Sequence, residues 1–225
     1  MEQCSESAST VFRARITEAS FPCVGAKSAL AQDGVSFDAC GDLLEAHDDI
    51  ALVASLQAFA LDAADDDVFL SKVVLFPATP QLDELAFEQA LWTRLQALHR
   101  LDAVRFAWDP SVSSDPDSPR FSLSIGVRGF YVVGLHPGAS RAARRFPFAA
   151  LVFNLHSQFE ALRADGRYAK LRDVITQRDI AYSGSRNPML AMYGEQSEAR
   201  QYSGRRVGAD WRCPFVNEGR QSDAV

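Results

Sequence analysis

The sequence predicts an α+β fold in a single domain: one mainly antiparallel sheet flanked by helices, followed by a long irregular C-terminal segment. Three observations predict it. Apolar residues recur at helical spacing over residues 48–63 and 79–101. Short Val-, Leu- and Phe-rich runs bounded by turn residues recur at 68–77, 121–125, 130–135 and 148–153. Residues 183–215 follow neither period. The composition agrees, since 225 residues with 47% hydrophobic and 23% charged side chains describe an ordinary globular chain. A chain of this length buries roughly 70% of its unfolded surface without disulfides or a structural metal. One domain over residues 11–215 is expected, with flexible tails at 1–10 and 216–225.

The elements follow in order. Residues 11–16 form a short amphipathic stretch. Phe21-Pro22-Cys23 reads as an extended lead-in to a helical turn, and Gly34 opens a loop into a strand at 35–40. Ile50, Val53, Leu56, Ala60 and Leu61, with acids ahead of them, mark an amphipathic helix that Asp65-Asp66-Asp67 ends. Residues 68–77 make a buried strand. Thr79 is placed to cap the next helix and Pro80 to start it, with Leu82, Leu85, Leu91, Trp92, Leu95 and Leu98 on its apolar face. The proline-rich stretch 109–119 is a surface loop. Residues 121–125 and 130–135 flank a hairpin around Val127-Arg128-Gly129. The strand at 148–153 opens through Asn154-Leu155-His156 into a helix, and a second helix spans 168–181. The final segment carries Met189, Met192, Tyr193, Tyr202, Trp211 and Phe215, too apolar for disorder, and long irregular segments of this kind are commonly functional.

The net charge of −6 hides an asymmetry. Residues 1–119 hold 20 acids against 7 Lys/Arg, and residues 120–225 hold 9 against 16. Either the halves neutralise each other or the basic half receives an anionic ligand. No apolar run of about 18 residues is present, so no membrane span is expected. The polar N-terminus lacks the layout of a secretory signal, which points to the cytoplasm. The cysteines at 4, 23, 40 and 213 include no C-x-x-C pair and are expected as thiols. The longest basic cluster is short and the whole chain acidic, so nucleic acid is not an expected partner.

Several residues carry candidate chemistry. His136 follows a strand in a Gly/Pro loop beside Ser140 and Arg141, where catalytic side chains commonly project; the bland reading is a loop histidine bonded to a carbonyl. His156 begins a helix, whose positive end favours the neutral imidazole that binds metals; heme iron is one such partner, and a capping or core role is the alternative. Arg141, Arg144 and Arg145 are suited to two propionates or a phosphate, or to a solvated surface. Cys23-Val24-Gly25, ahead of a helix, resembles the cysteine loop of heme-thiolate enzymes, with Cys213 a weaker candidate of the same kind. Glu195 and Glu198 are placed to pair with a guanidinium, either a substrate's or that of a nearby arginine.

The motifs Phe21-Pro22-Cys23 with Gly25-Ala26-Lys27, His136-Pro137-Gly138-Ala139-Ser140-Arg141 with Arg144-Arg145, and Phe153-Asn154-Leu155-His156 with Gln158-Phe159-Glu160 together resemble the YqcI/YcgG family. Asn187-Pro188-Met189, Gly194-Glu195, Ser203-Gly204-Arg205 and residues 211–215 extend the resemblance over about residues 20–215. The characterised members are heme-dependent N-hydroxylases of arginine or related guanidino amino acids, from D-cycloserine and guanitoxin pathways. The resemblance therefore implies heme b (protoheme IX), dioxygen, an external electron donor and a small amino acid or guanidino substrate, oxygen being inserted at a substrate nitrogen; a homodimer is compatible with it. On this reading Arg141, Arg144 and Arg145 meet the propionates, and Glu195 and Glu198 suit a cationic substrate. Cys23, His156 and His136 remain open as the iron ligand, His156 preferred for its rigid helix-start position, with Ser140 or the unused histidine on the distal side. Two other readings stand against the enzyme: a heme-binding sensor or carrier without turnover, and a protein without heme whose His/Cys set binds zinc or simply packs.

Overall fold

The computed structural model describes residues 2–64 and 69–219, and in its first helix the side chains from residue 7 onward. That helix, α1 (Glu2–Thr17), occupies much of the stretch expected as a tail. Ala8, Phe12 and Ile16 are spaced four apart, so they share one face, and that face is buried in the core. The apolar spacing starts inside residues 1–10, which is why the segment is helical and not frayed.

After α2 (Val24–Ala31) come β1 (Val35–Ala39), α3 (Asp49–Asp62) and β2 (Ser71–Phe76). Because α3 carries the chain back across the sheet, β1 and β2 pair in parallel. Helix α4 (Glu84–Asp102) starts a turn later than Thr79 and Pro80 suggest. Asp83 is its cap, with Oδ1 accepting the Ala86 N–H at 2.8 Å, while Thr79 Oγ1 accepts the Leu43 N–H at 2.8 Å. A tertiary donor has claimed the hydroxyl that local sequence assigns to the helix.

The hairpin of β3 (Leu123–Ile125) and β4 (Arg128–Leu135) turns at Gly126-Val127, so Arg128 and Gly129 belong to the strand and not to the turn. Both turn residues have positive φ, +59° and +60°, as a two-residue turn of the I′ kind requires. A 3-10 turn (Ala142–Arg144), β5 (Ala149–Leu155), α5 (His156–Ala164), α6 (Arg167–Ser183) and the short α7 (Ala199–Tyr202) complete the described elements.

The sheet order is β1–β2–β5–β4–β3, antiparallel everywhere except at β1–β2. Strand alternation sends Val74, Phe76, Phe130, Val132, Leu151 and Phe153 into a core shared with α3 and α4. Val73, Leu75, Leu135 and Ala150 join a second core with α1 and Phe21. The apolar run of β2 is thus buried on both faces. Gly134 lets α4 approach, since a Cβ there would lie 2.7 Å from the Phe87 ring and 2.8 Å from Leu91.

β3 pairs only with residues 128–130 of β4, which leaves the rest of that edge open. The irregular C-terminal segment covers it. The Tyr202 hydroxyl donates to Phe130 O at 2.9 Å and accepts the Leu123 N–H at 3.2 Å, where the ladder parts. Farther along, the Arg144 guanidinium donates to Gly134 O, Tyr202 O and Gln201 O at 3.0–3.1 Å. Buried Glu88 of α4 then accepts from Ser203 Oγ, Arg205 and the Trp211 indole N–H. Val216 and Glu218 run alongside the last turns of α4, bonded to Gln96, His99 and Arg100; residues 220–225 of the expected C-terminal tail lie outside the described residues. No helix among the described residues is long and apolar enough to cross a membrane.

Candidate functional site

Residues singled out in the sequence separate into three places. The first is the loop after β4. His136 is buried, stacked on Phe87 with ring centroids 4.1 Å apart, and faces the Leu82 carbonyl. Its Nδ1 has no hydrogen-bond partner. Burial pushes its pKa below the ordinary value, so the ring is held neutral inside the core. Ser140 lies at the exposed end of the loop, donating through N–H and Oγ to Glu84 at 3.0 and 2.7 Å. Arg141 pairs with Asp179 of α6 and donates to Ser185 O. Arg145 donates to Ala139 O and Ser140 O. With Arg144 tied to three carbonyls, all three guanidiniums close contacts within the chain.

The second place is the head of α2. Cys23 caps this helix with its sulfur, which accepts the Ala26 N–H at 3.4 Å. The Arg144 guanidinium lies close enough to favour a thiolate electrostatically. Burial outweighs both and pushes the thiol pKa up, so the unliganded sulfur keeps its proton. Cys213 is half-buried, its thiol pushed up to about 12 mainly by burial. The side chain of Cys4 lies outside the described residues.

The third place gathers the densest buried polar group. Leu123, Phe130 and Leu155 form one cross-strand row facing the α3/α4 core, so their neighbours Ser122, Tyr131 and His156 face the other side. Gly129, on that side too, makes room: a Cβ there would stand 3.3 Å from His156 Cβ. Glu198, at the head of α7, closes the group. Ser122 Oγ donates to Glu198 Oε2 at 2.6 Å and lies 3.3 Å from His156 Nδ1. On its far side His156 Nε2 is 3.2 Å from Glu160 Oε1, one turn along α5. Both ring nitrogens of His156 therefore have partners. Tyr193 lies over the imidazole at 4.4 Å, and Arg163 stacks on Tyr193 and Tyr168 while pairing with Glu160. Tyr131 OH, 3.3 Å from Gln201 Oε1, sits between this group and Arg144, connecting it toward Cys23.

Electrostatics separate the two ends of the group. Burial raises Glu198 to about 7 against the opposing Ser122 hydrogen bond. Burial also lowers His156, against the opposing charge of Glu160. Glu160 itself is 49% exposed at the side chain. The arrangement is not that of a serine hydrolase, in which the imidazole lies between acid and hydroxyl. Here the hydroxyl lies between acid and imidazole, and Ser122 is 0% exposed, so it cannot reach a substrate carbonyl.

The structure thus brings His156 and Glu198 together and leaves Glu195 apart, exposed and accepting the Met192 N–H at 2.9 Å. Sequence reasoning missed Ser122, Tyr131, Gln201 and Glu160. Two signals could have found some of them: the i,i+4 pair His156/Glu160, and the polar/apolar alternation Ser122-Leu123-Ser124-Ile125. Among the described residues, no three His, Cys, Asp or Glu side chains converge in a way that could hold a metal ion.

The family model for YqcI/YcgG matches residues 12–216. The chain belongs to the YqcI/YcgG family. Searches of curated proteins and of solved structures returned no match. The family match spans all three places described above, from Cys23 at the head of α2 to Glu198 at the head of α7.

Proposed function

We propose that this YqcI/YcgG protein is a heme-dependent monooxygenase that N-hydroxylates arginine or a related guanidino or amino compound, using dioxygen and an external reductant. One observation carries the reading: Cys23 presents its sulfur at the head of α2, with a backbone N–H bonded to it and Arg144 nearby. These features favour a thiolate, and Cys23 would hold the heme iron through its sulfur in place of the proton that burial otherwise keeps there. Cys23 accordingly replaces His156 as the preferred iron ligand, since both nitrogens of His156 are engaged within the chain. When bound, the heme supplies dioxygen binding and its reductive activation.

The rest is the work of the chain's own side chains. Arg145, the most exposed of the three arginines, would meet a propionate on releasing Ala139 O and Ser140 O, and Arg141 on releasing Asp179. Glu198 supplies a buried carboxylate for a guanidinium, with Tyr131 and Gln201 beside it as further polar partners. Because Glu198 titrates at about 7, a bound cation draws it into the ionised form, so substrate binding releases a proton near neutral pH.

The test is the absorption spectrum of the ferrous-CO form, which separates thiolate from imidazole ligation, measured on the natural chain and on Cys23→Ala, His136→Ala and His156→Ala. Loss of the thiolate signature in Cys23→Ala alone is expected, together with an N-hydroxylated product from a panel of guanidino and amino substrates. Heme without product across the panel would leave a sensor or carrier. Absence of a Soret band after expression with heme supply would overturn both readings.

A further inference from the structure

Glu198, Ser122, His156 and Glu160 are joined by three contacts of hydrogen-bond length. Each bond needs one proton. The Ser122 hydroxyl brings one and a neutral His156 ring brings another. The row is complete only with a third proton, and where that proton sits sets the direction of every bond. With it on Glu198, Glu198 donates to Ser122, Ser122 to Nδ1, and Nε2–H to the Glu160 carboxylate. With it on Glu160, all three bonds reverse: Glu160 donates to Nε2, Nδ1–H to Ser122, and Ser122 to the Glu198 carboxylate. The two states differ by one short hop of each proton and by no movement of a heavy atom.

We propose that this row is a one-proton wire, carrying protons from solvent at Glu160 through His156 and Ser122 to Glu198 in the interior. The proposal rests on the monooxygenase reading for the step that consumes them. Inserting one atom of dioxygen at a substrate nitrogen takes two electrons from the external reductant and two protons, and the second oxygen atom leaves as water. A buried site needs a route for those protons, and the row runs from a carboxylate 49% exposed to one 6% exposed. Ser122, His156 and Glu160 act through Glu198 and are positioning residues in this sense.

The surrounding charges set the resting state. Arg163 acts on both ends, Asp109 faces His156, and the hydroxyls of Tyr131, Tyr193 and Tyr202 surround Glu198. With the proton off Glu198, Ser122 donates to it; burial holds Glu198 near 7 and lowers His156, so around neutral pH Glu198 passes between its two protonation states.

The wire makes the tautomer of His156 report the protonation of Glu198. In the full-length protein, kept diamagnetic and labelled with nitrogen-15 histidine and carbon-13 glutamate, the two signals are expected to titrate together near pH 7. Ser122→Ala should uncouple them, and Ser122→Thr, which restores a hydroxyl, should couple them again. A histidine tautomer insensitive to Glu198 in the natural chain, or coupling that survives Ser122→Ala, overturns the wire. If Ser122→Ala does not fold, Glu160→Gln on the half-exposed turn of α5 decides the matter. It removes the outer proton donor, and turnover should fall about tenfold, with recovery as the concentration of a small buffer acid is raised. Unchanged turnover, or a loss that buffer acid does not restore, overturns the wire. A natural chain that makes no hydroxylated product removes the monooxygenase reading, and the coupled titration still decides the wire.

Discussion

Two side chains hold the hairpin edge in opposite ways. Val127 occupies the left-handed region at φ +60°, which a β-branched residue adopts only under strain, and it is exposed, so its side chain offers little packing in return. Val127→Asn is expected to stabilise the protein by about 0.5–1.5 kcal/mol, read as a higher urea midpoint at unchanged m-value. Gly126 does not offer the same gain, because a Cβ there meets Ala60 at 3.0 Å. Tyr202 works in the other direction. Its hydroxyl satisfies both the Leu123 N–H and the Phe130 carbonyl where β3 and β4 part. Tyr202→Phe keeps the stacking on Trp92 but removes both hydroxyl bonds to these buried backbone groups, and a loss of about 1–3 kcal/mol in equilibrium unfolding is expected.

At the scale of elements, the C-terminal segment is held by α4 and not by a periodicity of its own. Glu88 gathers Ser203, Arg205 and Trp211, each more than a hundred residues away in sequence. Glu88→Ala strands the Arg205 guanidinium and removes all three bonds, so a loss of about 3–5 kcal/mol is expected, with residues 197–215 losing amide-exchange protection before the sheet does. Such distances explain what the sequence makes legible. The strands, α3 and α5–α6 follow from local periodicity and stand close to where the pattern places them. The start of α4 does not, because Thr79 is drawn to Leu43. Nor does α1, whose polar composition masks the Ala8–Phe12–Ile16 face. In the site, His156 and Glu198 are legible as isolated polar residues in apolar or irregular surroundings. Ser122 is not, since only the pairing of β3, β4 and β5 sets it beside a residue 34 positions away.

At the scale of the molecule, the acidic and basic halves meet in specific pairs, with Arg205 on Glu88 and Arg100 on Glu218 crossing between them. Arg144 and Arg141 answer instead to backbone carbonyls and Asp179, so these two guanidiniums are engaged within the chain. The titratable groups with the greatest leverage on stability are the buried ones. His99, His136 and His156 are each at most 3% exposed, and burial lowers all three below 6.5. As pH falls through 6.5, the unfolded chain protonates these rings while the folded chain does not, so each removes up to about 1.4 kcal/mol per pH unit until its own folded pKa is reached. Glu198 acts in reverse. Its folded pKa of about 7 lies above the ordinary 4.5, so the folded chain binds its proton first and regains stability as pH falls from 7 to 4.5. The three imidazoles lose and Glu198 gains, with buried Asp102, raised by burial from 3.8, also gaining toward the acid end, which gives a net fall of at most about 2–3 kcal/mol per unit at the steepest. Stability from urea unfolding should therefore be nearly level from pH 7 to 9 and drop between 6.5 and 5. His136→Gln should make that slope shallower by about one proton, and Glu198→Gln should make it steeper by about one, whatever either substitution does to the plateau. A level profile down to pH 5 would mean that these imidazoles bind protons in the folded protein as readily as in the unfolded chain, in conflict with their burial.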